Sequence, residues 1–202
     1  MSRVAAIIQE VKAMTQADTG SILVAYFHCD FRDSAKQDVH DVLTSLLTQL
    51  CAESDTFSQI LLDLYLKNQQ PDDDALAQCL RLMLQLPGQL PVYLIIDAID
   101  ECPNITSIVS ARDRVLELIE ELVRLHLTNL RICYTSRPDA DIQASLRSLA
   151  PHTVSIPEES ERKKDMANYL KSVVRSDQNM RKWRAEDKRL LIDTVSTRAE
   201  GM

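Results

Sequence analysis

The sequence predicts an α/β fold built on a mostly parallel sheet, and three observations carry that expectation. Short apolar runs rich in β-branched and aromatic residues, ILVAYFHC at 22–29 and VYLIID at 92–97, are too brief for surface helices. They are apolar throughout rather than alternating, as buried strands of parallel sheets are. They also alternate with longer stretches whose apolar residues recur at helical spacing, the arrangement that lays helices over both faces of such a sheet.

In chain order, Val4, Ile7, Ile8 and Val11 predict an amphipathic helix over 3–14, ending near the turn Asp18-Thr19-Gly20. Residues 22–29 follow as the first strand. Val39, Val42, Leu43, Leu46, Leu47 and Leu50 mark a strong helix, and a second apolar-periodic stretch runs over 57–66. Residues 68–74 are polar with one proline and offer Asp72, Asp73 and Asp74 as helix starts. Leu76, Leu80, Met83 and Leu84 make the next helix, closed by Pro87-Gly88, and after Pro91 comes the second strand. Residues 112–127 carry Val115, Leu118, Ile119, Leu122 and Val123 on one helical face. Residues 130–135 read as a third strand and 153–156 as a short fourth. Beyond Pro157 the chain turns helical and charged, with Met166, Tyr169, Leu170, Val173 and Val174 on one stripe and Leu190, Leu191 and Val195 on another. A domain boundary is therefore expected near 157, dividing the chain into 1–157 and 158–202. No internal repeat is visible.

At 202 residues and 45% hydrophobic content, the chain is long enough for one substantial core. A net charge of −7 and pI near 5.1 argue against nucleic acid as a partner, because phosphate-backbone affinity comes from clustered Lys and Arg. The five cysteines, Cys29, Cys51, Cys79, Cys102 and Cys133, are odd in number and lack CxxC spacing, so neither a disulfide framework nor a structural zinc site is expected. Free thiols in or beside apolar segments fit a cytoplasmic protein. The first 14 residues lack the pattern of a signal peptide, and no window approaches the ~20 apolar residues of a membrane span.

The most informative stretch is VYLIIDAIDEC at 92–102, where an apolar strand ends in Asp97, Asp100 and Glu101. Open α/β sheets bind ligands at the carboxyl ends of their strands. Like charges repel there, and Mg²⁺ would relieve the repulsion, with Asp97 as direct or water-mediated ligand. Asp100 or Glu101 could then orient or deprotonate an attacking water. The plainer alternative is a solvated loop leading into a helix N-cap. A second constellation, LRICYTSRP at 130–138, delivers Thr135, Ser136 and Arg137 to the same sheet edge if the strands are parallel. Pro138 stiffens the exit, and an arginine there can pair bidentately with a phosphate or serve as a surface ion-pair residue.

VYLIIDAIDEC resembles the extended Walker B segment of NACHT-type (STAND-class) P-loop NTPases, and YTSRP resembles their sensor strand with its arginine. AYFHCDFRDSAKQ at 25–37 is similar to the fungal branch with a nephrocystin-3-like N-terminal domain, and the terminal TRAEGM also resembles that branch. The resemblance covers nearly the whole chain. It implies a three-layer sheet in the order 5-1-4-3-2 that binds ATP or GTP with Mg²⁺. Carried over by position, it implies that Asp97 holds magnesium, Asp100 and Glu101 handle the water, Arg137 senses the terminal phosphate, and Ser2 takes the hydroxyl position beside magnesium. It further implies an intracellular signalling role of the self/non-self recognition kind.

The departure from that pattern is the phosphate loop. G-x-x-x-x-G-K-[ST] wraps phosphates in backbone N–H groups, yet the only glycines are Gly20, Gly88 and Gly201, none of which opens such a motif. The expectation is thus a P-loop-type sheet without its first strand, followed by the start of a helical extension, with impaired nucleotide turnover. Two rivals stand beside it. One is a pseudo-NTPase fragment that works through protein partners or self-association, and the other is an unrelated magnesium-dependent hydrolase using Asp97, Asp100 and Glu101.

Overall fold

The computed structural model describes residues 22–104, 109–154, 159–177 and 179–198, together with positions 9, 11 and 13. It divides into two compact units, 1–151 and 152–202. The expected helix over 3–14 and the hydroxyl of Ser2 lie outside the described residues, apart from the helical positions 9, 11 and 13.

The first unit is α/β. Strands β1 (Leu23–His28), β2 (Val92–Asp97) and β3 (Leu130–Tyr134) form a parallel sheet in the order β1-β2-β3. Parallel neighbours require crossovers, and helices supply them. Between β1 and β2 run α1 (Val39–Ala52), α2 (Asp55–Lys67) and α3 (Asp73–Leu84), and between β2 and β3 runs α4 (Ala111–Arg124). A short helix, α5 (Ala140–Leu146), follows β3.

The register aligns Leu23, Val92 and Leu130 in one row, Ala25, Leu94 and Ile132 in the next, and Phe27, Ile96 and Tyr134 in a third. Because side chains alternate across a strand, these nine residues share one face. They join a single apolar cluster with Leu43, Leu46 and Leu50 of α1, Leu80 and Met83 of α3, and Ile119 and Leu122 of α4. Each fully buried aliphatic side chain there contributes about 1.5–3 kcal/mol by leaving water. On the other face Tyr26, Arg131 and Cys133 are exposed while Ile95 is buried.

Helix starts follow the local sequence. The side chains of Asp38, Ser54 and Asp72 accept from Asp41, Phe57 and Ala75 N–H groups, and Ser110 with Asp113 closes a reciprocal capping box on α4. Of the three aspartates expected to start α3, Asp72 is the cap. Gly88 closes the turn after α3 with φ of +72°, a conformation open to glycine at no steric cost. The outer edge of β1 is covered by Gln49 of α1, whose amide accepts from the Tyr26 N–H at 3.1 Å and donates to its carbonyl at 2.7 Å. That satisfies backbone groups which would otherwise stand open on an edge strand.

One expectation is corrected in its described half, and one helix is added. Thr153 and Val154, the described half of the expected fourth strand, have irregular backbone, and 155–158 lie outside the described residues. Among the described residues no strand pairs with Thr153 or Val154, and β-propensity alone does not make a strand. Helix α5 was not anticipated, because it buries only Ile142 and Leu146, one turn apart, too sparse a pattern to read from sequence.

The second unit consists of α6 (Glu159–Ser176) and α7 (Ala185–Arg198), which pack together across a 3₁₀ turn at Asn179–Lys182. Of the expected stripes, Val174 is buried, whereas Tyr169 and Leu190 are exposed. Two helices offer each other only one covered stripe. No helix among the described residues is long and apolar enough to cross a membrane.

Candidate functional site

Parallel strands end on the same sheet edge, and the register sets His28 directly against Asp97. One residue past the Ile96–Tyr134 pair, Thr135 lies on the other side of Asp97. The carboxylate of Asp97 is held from both flanks: Thr135 Oγ1 donates to Oδ1 at 2.5 Å, and His28 Nδ1 lies 2.8 Å from Oδ2. Thr135 also accepts the Ala98 N–H at 2.9 Å through its hydroxyl and the Ile99 N–H at 3.0 Å through its carbonyl. These two bonds anchor a tight reversal in which Ala98 adopts φ 58° and ψ 50°. A left-handed alanine costs roughly 1–2 kcal/mol, so the surrounding bonds over-determine it, as is common at functional edges.

The reversal starts the 3₁₀ turn Ile99–Glu101 and aims the next two acids differently. Asp100 Oδ1 accepts the Arg137 N–H at 2.9 Å, and its Oδ2 lies 3.3 Å from Arg137 Nε. Glu101 Oε2 accepts the Phe31 N–H at 3.3 Å, tying the acidic segment to the loop after β1. In that loop Asp30 accepts both Nε and Nη2 of Arg32, and the guanidinium holds its carboxyl down at about 2. Arg32 and Arg137 are largely exposed while Asp97 and Asp100 are mostly covered. The edge therefore presents cations to solvent over anchored carboxylates.

Beneath it lies Arg112, from the first turn of α4. Its Nη2 donates to the Asp100 carbonyl at 2.6 Å, its Nε to the Cys102 carbonyl at 3.1 Å, and its Nη1 to Asp139 at 2.9 Å and Asp141 at 3.1 Å. Asp139 thus spends its carboxylate on Arg112 and makes no side-chain cap on α5. Also under the edge, the thiols of Cys29 and Cys102 meet at 3.2 Å. Their shared hydrogen bond, then burial and the charges of Asp97 and Glu101, push the Cys29 thiol far up. The same bond, with Arg112 adding, holds Cys102 lower.

The sequence profile of the family described as nephrocystin 3, N-terminal matches residues 3–137, well over half of the chain. The chain belongs to the nephrocystin 3 N-terminal family. No curated protein matches it. The nephrocystin 3 N-terminal match takes in all three strands and the acidic turn and stops at Arg137, so α5 and the second unit fall outside it.

In this nephrocystin 3 N-terminal chain the structure brings Asp97, Asp100, Glu101 and Arg137 to one edge, while Ser2 lies outside the described residues. Sequence reasoning missed His28 and Arg112. His28 is the polar residue ending an apolar strand, a signal that was present. Arg112 shares a helical face with Val115, Leu116 and Ile119, where an arginine signals a buried polar anchor. Among the described residues no group of three or more His, Cys, Asp or Glu side chains is arranged to hold a metal. Asp97 alone fits the way Mg²⁺ is held in phosphate sites, by one or two carboxylates with waters and phosphates completing the shell. A carboxylate has about four lone-pair positions, and protein donors occupy two of those on Asp97.

Proposed function

We propose that this chain is the magnesium- and terminal-phosphate-facing part of a NACHT-like nucleotide-binding signalling module that takes ATP or GTP. The observation that carries the reading is the Asp97–Thr135 bond. It locks the acidic end of β2 to the end of β3, three residues short of Pro138, with Arg137 beside them. Asp97 would hold Mg²⁺, directly or through water, and the bound cation would supply charge neutralisation for phosphate oxygens. The geometry supports different work for the two following acids. Asp100 positions Arg137 for a phosphate, since both its oxygens already face that residue. Glu101 has one oxygen turned to Phe31 and the other available to orient water. A role for such a module in intracellular self/non-self recognition is supported by the sequence resemblance of residues 25–37 to the fungal branch.

Residues 1–202 contain no G-x-x-x-x-G-K-[ST], so the 202-residue polypeptide binds Mg-nucleotide weakly and turns none over. Three charge-assisted bonds of a phosphate loop are worth roughly 4.5–9 kcal/mol, or about three to six orders of magnitude in affinity. Titration with a fluorescent ATP or GTP analogue tests this. Millimolar, magnesium-dependent binding lost in both Asp97→Ala and Arg137→Ala is expected. Binding indifferent to magnesium and to both variants would sink the assignment.

A second reading, a non-enzymatic interaction module, is favoured by β3. Among the described residues it pairs on one side only, and unpaired edges recruit other chains. It expects self-association in size-exclusion chromatography. A monodisperse monomer with no nucleotide effect would remove it.

A further inference from the structure

Cys29 follows the last residue of β1, and Cys102 follows the acidic 3₁₀ turn, so 73 positions of sequence separate two sulfurs that the fold brings to 3.2 Å. Both residues are buried, at 0% and 1% exposure, and both are free thiols. Closing a disulfide, with sulfurs ~2.05 Å apart, takes a further approach of about 1 Å. The partners sit on segments already tied together: Cys29 N–H donates to the Asp97 carbonyl at 3.0 Å, and Phe31 N–H to Glu101. A cross-link here would join segments whose backbones already hydrogen-bond to each other.

We propose that Cys29 and Cys102 form a reversible redox site that closes to a disulfide on exposure to hydroperoxide. Cys102 reacts first: its thiolate attacks one peroxide oxygen, the O–O bond breaks, and the departing hydroxide takes up a proton, leaving a sulfenic acid. The Cys29 sulfur then attacks the Cys102 sulfur, the S–O bond breaks, and water leaves with the Cys29 proton. The two thiols lose two electrons in all, and the peroxide is reduced to two waters. A small dithiol reverses the change by thiol–disulfide exchange. In a reducing compartment such pairs rest as thiols and close transiently.

Arg112 supports the order of attack, since its guanidinium donates to the Cys102 carbonyl at 3.1 Å and a cation beside a thiol favours the thiolate. Cys79, buried without such a neighbour, is pushed up to about 11 by burial and stays inert. Hydrogen peroxide is small enough to enter when the adjoining loops open locally. Closure would clamp the loop carrying Asp30 and Phe31 to the segment carrying Asp100 and Glu101, whether or not nucleotide binds there.

The test is to treat the folded 202-residue protein with hydrogen peroxide, quench it, unfold it, alkylate free thiols and identify linked peptides by mass spectrometry. Two of the five thiols are expected to become unreactive, in a Cys29–Cys102 peptide that dithiothreitol separates. The Cys133→Ser variant, which removes the exposed thiol, keeps that link. Oxidation confined to Cys133 while Cys29 and Cys102 stay alkylatable would overturn the proposal. So would an equal yield of the link in urea-unfolded chain, because the fold would then have no part in it.

Discussion

Arg137 grips Asp100 twice, through its main-chain N–H at 2.9 Å from Oδ1 and through Nε at 3.3 Å from Oδ2. The arginine that follows β3 is thereby referenced to the turn that follows β2. Its own guanidinium is two-thirds exposed, which weakens the ion pair, so the backbone bond to the well-covered carboxylate carries most of the energy. Asp100→Ala is expected to cost about 1–2 kcal/mol in urea unfolding, and Asp100→Asn, which keeps an acceptor for the N–H, distinctly less. Equal losses in the two variants would show that the charge, not the acceptor, matters.

Thr135 is the keystone of the reversal after β2, because one hydroxyl both donates to Asp97 and accepts from Ala98. Thr135→Val preserves shape but leaves that N–H without its acceptor and Asp97 with His28 as its one remaining side-chain partner among the described residues. A loss of about 2 kcal/mol follows, with Thr135→Ser close to wild type. Thermal unfolding of the two variants side by side distinguishes hydroxyl from methyl.

Arg112→Ala removes four donor contacts at once and leaves two carbonyls and two aspartates without them. Breaking a buried ionic cluster costs ~3–5 kcal/mol, and the partial exposure of Asp139 and Asp141 puts this case near the lower end, at about 3 kcal/mol. Arg112→Lys should recover little, since one ammonium cannot span the fork of acceptors. Full recovery by lysine would contradict the geometry.

Asp30 gives a pH signature. Its folded carboxyl lies at about 2 instead of 3.8, held down by hydrogen bonds from Arg32. A depressed folded value means that the stabilisation is present above the unfolded value and is lost as pH falls from about 4 through about 2. A carbon-detected NMR titration should find the Asp30 carboxyl titrating near 2, and Arg32→Ala should return it toward 3.8. An unchanged midpoint in the variant would rule out the Arg32 pairing.

Much of the architecture was legible in the sequence. The apolar runs that end in His28 and Asp97 identify parallel strands, although only β2 is covered on both faces while Tyr26 and His28 of β1 are exposed. The spacing of Val39, Val42, Leu43, Leu46, Leu47 and Leu50 identifies α1, because burial on a periodic scaffold imprints its period on the chain. That Asp97, Asp100, Glu101 and Arg137 gather at one sheet edge was legible for a related reason: abrupt polarity at the end of an apolar strand marks where the strand leaves the core. What only the tertiary structure decided is how these groups pair. Which donor meets Asp97, whether Asp100 faces water or Arg137, and that Cys29 lies against Cys102 all depend on strand order and register. Those are set by contacts between residues tens of positions apart, and hydrogen bonds between such residues leave no period in either segment alone.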